Sequence, residues 1–164
     1  MKKSETAGIA GEHSSPSNPE SVADVLEREQ DNLIHKWLAL VEEQIDLMSV
    51  PLSCEARTGH LPLLLDDIII RVRLAAGCKP SISVAAIRHG ELRLKQGYSV
   101  AMVIEESRLL EVCLFTTLHK NSKSLNYAKL QLEIVTITDE VDRQLKQQVL
   151  LYVSFDGVNN KLMN

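Results

Sequence analysis

The segment LPLLLDDIIIRV, residues 61–72, decides the fold class of this chain. Its apolar residues recur at the i, i+3, i+4, i+7, i+8 and i+11 positions that form one face of a helix. They are Leu61, Leu64, Leu65, Ile68, Ile69 and Val72. Pro62 falls in the first turn, where a missing N–H costs little. The spacing therefore predicts an amphipathic α-helix that buries one side.

A similar apolar stripe precedes this segment. Asn18 is a suitable N-cap and Pro19 suits the first helical position. Apolar residues then recur at three- and four-residue steps, with Glu29 as the one gap in the stripe. The pattern predicts one long amphipathic helix that ends before Pro51.

Serine and glycine mark the boundaries of the helices that follow. Ser53 is expected to cap a short turn of helix that continues through Glu55 and Arg57. Gly77 is the expected stop of the helix that contains residues 61–72. Either Ser81 or Ser83 opens the next helix, which we expect to end at Gly97. Ser99 then caps a helix over residues 100–119 that is apolar on several sides, as is typical of the centre of a bundle.

The last apolar segment has two interpretations. Residues 130–138 (LQLEIVTIT) alternate partly with period two and are rich in β-branched residues, as in a strand. Apolar residues at helical spacing continue to Tyr152, and no turn signal interrupts the segment through Gln148. A strand of that length is unusual, so we favour a final helix over residues 128–152.

Length and composition agree with a single helical domain. A chain of 164 residues suits one domain, and its 7 glycines and 5 prolines are too few for a turn-rich sandwich or barrel. We predict an all-α fold, an antiparallel helical bundle of about five to six helices. Residues 1–18 are expected to form a disordered tail, residues 19–155 the helical domain, and residues 156–164 a polar C-terminal tail or the start of a linker.

Composition also argues against several classes of partner and cofactor. Aromatic residues make up 4% and the net charge is −4, which disfavours nucleic-acid binding. No membrane-spanning segment or signal peptide is evident, and the 3 cysteines lack CxxC spacing, so we expect reduced thiols in a cytoplasmic protein. The 5 histidines show no ligand spacing and 2 phenylalanines leave little lining for haem. We therefore expect no metal and no other cofactor.

Catalytic motifs are not found in the sequence. GxSxG, Walker, GxGxxG and HExxH patterns do not occur. The adjacent pairs Asp66–Asp67 and Glu105–Glu106 point about 100° apart on a helix and do not form two-carboxylate sites. We predict that the protein is not an enzyme. His89 lies in a segment similar to the phosphoacceptor box of histidine kinases, although position 90 is Gly and no proline follows, so a histidine phosphotransfer domain stays as the alternative.

The segment HGELRLKQGYS at residues 89–99, followed by ESRLL at residues 106–110, resembles a known family. It is similar to the N-terminal domain of RsbRD, the RsbT co-antagonist of stressosomes, which also precedes kinase modules in some bacterial sensor histidine kinases. The Trp37-Leu38 pair and residues 52–67 extend the resemblance over roughly residues 22–150. Ser107 departs from it, because an aromatic residue is usual at this position.

The resemblance implies a non-catalytic sensory or regulatory input domain of a bacterial signalling protein, of histidine kinase or stressosome type. Its final helix would pass the signal to a kinase or STAS-like output domain in cis, or to a partner protein. Helices that are apolar on more than one side also suggest a homodimer, since spare apolar stripes need cover. A stand-alone scaffold that only assembles partners is a further interpretation.

A polar cluster is expected where two helices fold back at Gly97. His89, Arg93 and Gln96 lie along one helix face at i, i+4 and i+7, and Glu106 lies seven residues past Ser99, about two turns into the next helix. An antiparallel pair then brings Arg93 and His89 towards Glu106. The predicted cluster consists of His89, Arg93, Gln96, Tyr98, Glu106 and Arg108. It is either a structural clamp on the corner or a ligand site.

Overall fold

A computed structural model describes residues 19–74 and 82–162, with side chains described up to residue 155. It confirms the all-α helical bundle. The helices are α1 (Val22–Arg28), α2 (Gln30–Glu42), α3 (Ile45–Met48), α4 (Cys54–Thr58), α5 (Leu61–Arg73), α6 (Val84–Lys95), α7 (Val100–Lys120) and α8 (Tyr127–Leu162), with a 3-10 turn at Ser122–Ser124 between the last two. The predicted tail at residues 1–18 lies outside the described part of the chain.

The prediction of one long helix before Pro51 is wrong. Ser21 is the N-cap, because its hydroxyl accepts from the backbone N–H of Asp24 while the Asp24 carboxylate accepts from the backbone of Ser21. α1 ends at Arg28, and the backbone of the next residue, Glu29, leaves the helical region with φ −95° and ψ 5°. Glu29 is the gap in the apolar stripe, so no buried side chain holds a continuous helix there. A second break at Gln44 separates α2 from α3, and the helices are therefore more numerous than predicted.

Most of the later boundaries agree with the sequence. The hydroxyls of Ser53, Ser83 and Ser99 cap α4, α6 and α7 by accepting a backbone N–H three residues on. The helix over residues 61–72 is confirmed, but α5 ends at Arg73, and the predicted stop Gly77 lies among residues 75–81, which the structure does not describe.

The final segment is a helix, so its alternative as a strand is wrong. α8 has 36 residues and a length of about 54 Å, and it continues through position 156, where we expected a tail or linker, to Leu162. Its middle part lies against α5, α6 and α7. Ile137 and Val141 of α8 are buried in this contact.

The core forms where α2 and α5 meet α7 and α8. Its largest fully buried apolar side chains include Leu33, Trp37, Leu65, Ile68 and Leu114. Burying one such side chain contributes about 1.5–3 kcal/mol. Short helices are marginal alone in water, so this shared burial holds α1 to α5 in place.

α6 and α8 are in close contact at Gly90. A Cβ atom at this position would lie 2.9 Å from Leu151 Cδ1 and 3.0 Å from Gln148 Cα. The second distance is to backbone, which no rotamer change can relieve. Gly90 therefore allows α8 to sit directly on the backbone of α6, one residue from His89.

The start of the described chain pairs with the connection between α7 and α8. The Glu20 N–H donates to the Ser124 carbonyl over 2.8 Å, and the Asn126 N–H donates to the Glu20 carbonyl over 3.0 Å. Arg28 adds side-chain bonds to Glu20 and to Asn121. Glu20 thus hydrogen-bonds to the residues on both sides of Leu125, just before α8 begins.

Two further sequence expectations concern membranes and thiols. Within the described ranges, no helix combines the length and the hydropathy that crossing a bilayer requires. Cys54 is exposed and Cys113 is buried, and both are free thiols. Burial raises the pKa of Cys113 to about 11, which makes it an unreactive core residue. Cys78 lies outside the described residues.

Candidate functional site

The corner at Gly97 has the predicted geometry. Gly97 has φ +83°, a left-handed conformation that glycine adopts without strain. Its N–H donates to the Leu94 carbonyl over 3.1 Å, and the Tyr98 N–H donates to the Arg93 carbonyl over 3.0 Å. These two bonds form a Schellman motif, which ends α6 and turns the chain into α7.

Arg93 is the centre of the site and is fully buried, with 0% of its surface exposed. Its Nε donates to Glu106 Oε2 over 2.8 Å, and one terminal nitrogen donates to Gln96 Oε1 over 2.8 Å. The terminal nitrogens also donate to two carbonyls of α4, those of Ala56 over 3.2 Å and Arg57 over 2.7 Å. Arg93 therefore joins α4, α6 and α7 through charge-assisted hydrogen bonds.

Glu106, on α7, is the ion-pair partner of Arg93. Its Oε2 also lies 3.4 Å from His89 Nε2, and its carbonyl accepts the Trp37 indole N–H over 3.0 Å. Burial alone raises the pKa of the Glu106 carboxyl, but the bond from His89 and the charge of Arg93 outweigh burial and hold its pKa below the ordinary 4.5. Glu106 is thus an ionised group in the core, and its Oε1 is buried without a hydrogen-bond partner among the described residues.

Two histidine rings lie against each other beside this ion pair. The His60 and His89 ring centroids are 5.9 Å apart, with the ring planes at 70°. Burial, followed by the charges of His89 and Arg93, lowers the pKa of His60 from 6.5. His89 is 3% exposed, and its Nδ1 has no hydrogen-bond partner in the described part of the chain.

A second buried arginine, Arg57, supports the other side of the corner. It donates to the Leu47 carbonyl over 3.1 Å, the Val50 carbonyl over 2.6 Å and the Tyr98 hydroxyl over 3.0 Å. The Tyr98 ring lies 4.8 Å from the Arg93 guanidinium carbon. Burial, and then the charge of Glu106, raises the pKa of Tyr98 to about 12, so its hydroxyl stays protonated.

The structure brings together five of the six predicted residues, namely His89, Arg93, Gln96, Tyr98 and Glu106. The placement of Arg108 in the cluster is wrong. Arg108 follows Glu106 by two positions, about 200° around α7, so it faces solvent. There it pairs with Glu105 over 2.6 Å.

The site includes three residues that we did not predict to belong to it, namely Trp37, Arg57 and His60. All three lie in the segments that carry the family resemblance, and this was the available signal. We define the buried cluster as Arg57, His60, His89, Arg93, Tyr98 and Glu106.

A small cavity lies between the buried cluster and α8. Its volume is about 20 Å³, and His89, Glu106 and Ser107 line it on one side. Gln144 and Gln148 line it from α8. Both glutamines are buried, and Gln144 Nε2 donates to the Leu64 carbonyl over 3.1 Å. Polar side chains of α8 thus face the cluster directly.

The burial of His89 and the placement of the other side chains limit the chemistry that this site can perform. A phosphoacceptor histidine must meet a phosphoryl donor, whereas His89 is buried and its Nε2 faces Glu106. Within the described residues, no group of three or more His, Cys, Asp or Glu side chains is placed to hold a metal ion. The arrangement is best suited to holding three helices and a buried charge in one relative position.

The fold and the site define an all-α bundle with an arginine–glutamate–histidine cluster buried at a helix corner. Comparisons of the chain with protein-family models, with curated proteins and with solved structures find no match.

Proposed function

We propose that this chain is a non-catalytic sensory or regulatory input domain of a bacterial signal-transduction protein, of histidine kinase or stressosome type, that acts in the cytoplasm. Its signal leaves through α8, towards a kinase or STAS-like output domain in cis or a signalling partner. The resemblance of residues 89–110 to the RsbRD N-terminal domain supports this class of protein.

The observation that carries the proposal is the contact of α8 with α6 at Gly90. This contact lies one residue from His89, and Gln148 of α8 lines the cavity beside Glu106. Interiors are close-packed, so a helix in backbone contact cannot absorb a shift of its neighbour. A change in the buried cluster therefore moves α8.

The proposal requires that a signal favour a second arrangement over the one in which Arg93 and Glu106 are paired. Arg93 and Glu106 are costly to separate, because each would then be a buried charge without its partner. A signal that engages Arg93, or that protonates His60, changes this balance and favours a second position of α6. Ligands and partner proteins shift such an equilibrium only through their differential affinity for the two positions.

A homodimer is part of the proposal. α8 exposes large apolar side chains near both ends of its described part, and such residues are typical of a helix that packs against a second copy. They are Leu132, Val135, Leu150, Val153 and Phe155. Light scattering at micromolar concentration is expected to give twice the chain mass, and a strict monomer would contradict the dimer.

Amide hydrogen exchange tests the coupling between the cluster and α8. Arg93→Met is expected to speed exchange in residues 144–155 of α8 by tenfold or more relative to the rest of α7 and α8. Leu114→Ala is the matched control, because it removes a fully buried core side chain at a cost of about 2–5 kcal/mol without touching the cluster. If both variants speed exchange equally across the whole chain, the buried cluster is only a structural clamp, and the proposal that α8 transmits a signal is wrong.

The genetic context is a second test. We expect a kinase or STAS-like module in the same reading frame or in a neighbouring gene. Neighbours restricted to metabolic enzymes, with no signalling module in either place, would contradict the proposed class.

A further inference from the structure

The cavity beside the buried cluster has the size of a single water molecule. A volume of about 20 Å³ exceeds the ~10–15 Å³ that one water requires. Its walls carry five polar side chains, whereas cavities that stay dry are apolar. They are His89, Glu106, Ser107, Gln144 and Gln148. The size thus permits one water molecule, and these side chains can supply its hydrogen-bond partners.

Glu106 supplies the strongest reason for a bound molecule. Its Oε2 is bonded to Arg93 and close to His89, but Oε1 is buried and has no partner in the described residues. Hydrogen-bond acceptors in a protein interior are nearly always satisfied, and an ionised carboxylate oxygen is the most costly to leave unpaired. Because Glu106 lines the cavity, a donor seated there is in a position to satisfy Oε1.

We infer that this cavity is a binding site for one water molecule, which donates to Glu106 Oε1 and links it to the glutamine amides of α8. The inference deepens the proposed function and rests on it, because the water then connects the buried ion pair to the transmitting helix. A bridging water is enthalpically nearly as favourable as a direct hydrogen bond, so it can couple the two groups energetically.

Two tyrosines compete as donors to Glu106. The Tyr98 hydroxyl is within reach of the carboxylate, since a hydrogen bond with Glu106 contributes to the raised pKa of Tyr98, but Tyr98 does not line the cavity. Tyr152 is the second competitor. Its hydroxyl is buried without a partner in the described residues, and it lies near enough for Glu106 to affect it. Burial, and then the charge of Glu106, raises the pKa of Tyr152 to about 12, so it remains a donor. Tyr152 does not line the cavity, whereas Gln144 and Gln148 of the same helix do. A water in the cavity therefore fits the geometry better than a direct bond from Tyr152.

Water-selective NOESY and ROESY spectra of the isotope-labelled wild-type chain test the inference. Cross-peaks of a long-lived water are expected at the methyl groups of Leu64, Leu110 and Val141, which line the cavity. The methyl groups of Leu33 and Leu114, which are buried in the core away from it, are expected to show none. If the three lining residues show no water cross-peaks, the site does not exist. This measurement needs no variant to fold.

A pair of variants at Ser107 then tests the role of the water. Ser107→Val fills the cavity and is expected to remove the cross-peaks, whereas Ser107→Ala removes only the hydroxyl and keeps them. Tyr152→Phe is also expected to keep them, and their loss there would assign the donor role to Tyr152.

Amide hydrogen exchange in α8 distinguishes a failure of this inference from a failure of the proposed function. In Ser107→Val, the effect of Arg93→Met on exchange in α8 is expected to fall at least threefold. An unchanged effect in Ser107→Val overturns the water link while the transmitter stands. No effect of Arg93→Met in the otherwise wild-type chain overturns the transmitter itself.

Discussion

Replacement of Arg93 by Met removes the central cation of the buried cluster and keeps most of the side-chain volume. The Glu106 carboxylate and the carbonyls of Ala56 and Arg57 then lose the charged donor that they share in the protein interior. Breaking one partner of a buried ion pair costs about 3–5 kcal/mol. This is a large part of the about 5–15 kcal/mol that stabilises an ordinary domain.

Urea unfolding followed by circular dichroism measures this loss. With a slope of about 2 kcal/mol per molar urea, the midpoint of Arg93→Met is expected to fall by about 2 M. Arg108→Met is the control, since Arg108 forms an exposed pair with Glu105, and it is expected to leave the midpoint unchanged. The double variant Arg93→Met/Glu106→Leu is expected to be more stable than Arg93→Met, because no charge is then stranded. Equal midpoints for Arg93→Met and Arg108→Met would refute the reasoning.

Three further predictions concern the corner and the titration of the cluster. Gly97→Ala is expected to cost about 1–2 kcal/mol in urea unfolding, because alanine is strained at φ +83°, and Gly97→Asn is expected to cost less. An alanine variant as stable as wild type would contradict the left-handed corner. The pKa of His60 is lowered from 6.5, so the unfolded chain binds a proton more readily; stability is expected to fall as the pH falls below 6.5, and His60→Gln is expected to flatten this part of the pH profile. The pKa of Glu106 is held below 4.5, so its contribution to stability is complete above pH 4.5 and is lost as the pH falls through the lowered pKa. The difference in unfolding free energy between wild type and Glu106→Gln is accordingly expected to shrink in acid, and a difference that is constant from pH 7 to pH 3 would contradict an ionised Glu106.

The fold class could be predicted because period 3.6 is a local property of the sequence. Residues 61–72 needed no partner to identify a helix, and the serine caps at Ser53, Ser83 and Ser99 are equally local signals. The breaks at Glu29 and Gln44 were not predicted. A polar residue on an apolar stripe is compatible with a continuous helix, so the gap at Glu29 permits a break but does not require one. The packing of α1 against α5 and α7 is a tertiary contact that the sequence pattern does not show.

The part of the site that lies on the two helices of the Gly97 corner could be predicted from the sequence. Arg93 and Glu106 lie on two helices joined by a short turn, so their meeting follows from the spacing around Gly97. Arg57 and His60 reach the same place from α4 and the turn after it, by a contact between elements far apart in sequence. Periodicity does not specify such contacts. The wrong placement of Arg108 has a simpler cause, since two helical positions reverse the direction of a side chain.

The backbone pairing of Glu20 restricts the kind of movement that α8 can make. Sliding α8 along its own axis would break the two hydrogen bonds that hold Leu125 between Ser124 and Asn126. Tilting α8 about its first residues leaves both bonds intact and changes its packing increasingly along the helix, from the contacts with α5 and α7 to the contact at Gly90. Residue 126 is therefore the pivot of this tilt. A displacement of a fraction of an ångström beside Gly90 increases in proportion to the distance from this pivot towards Leu162.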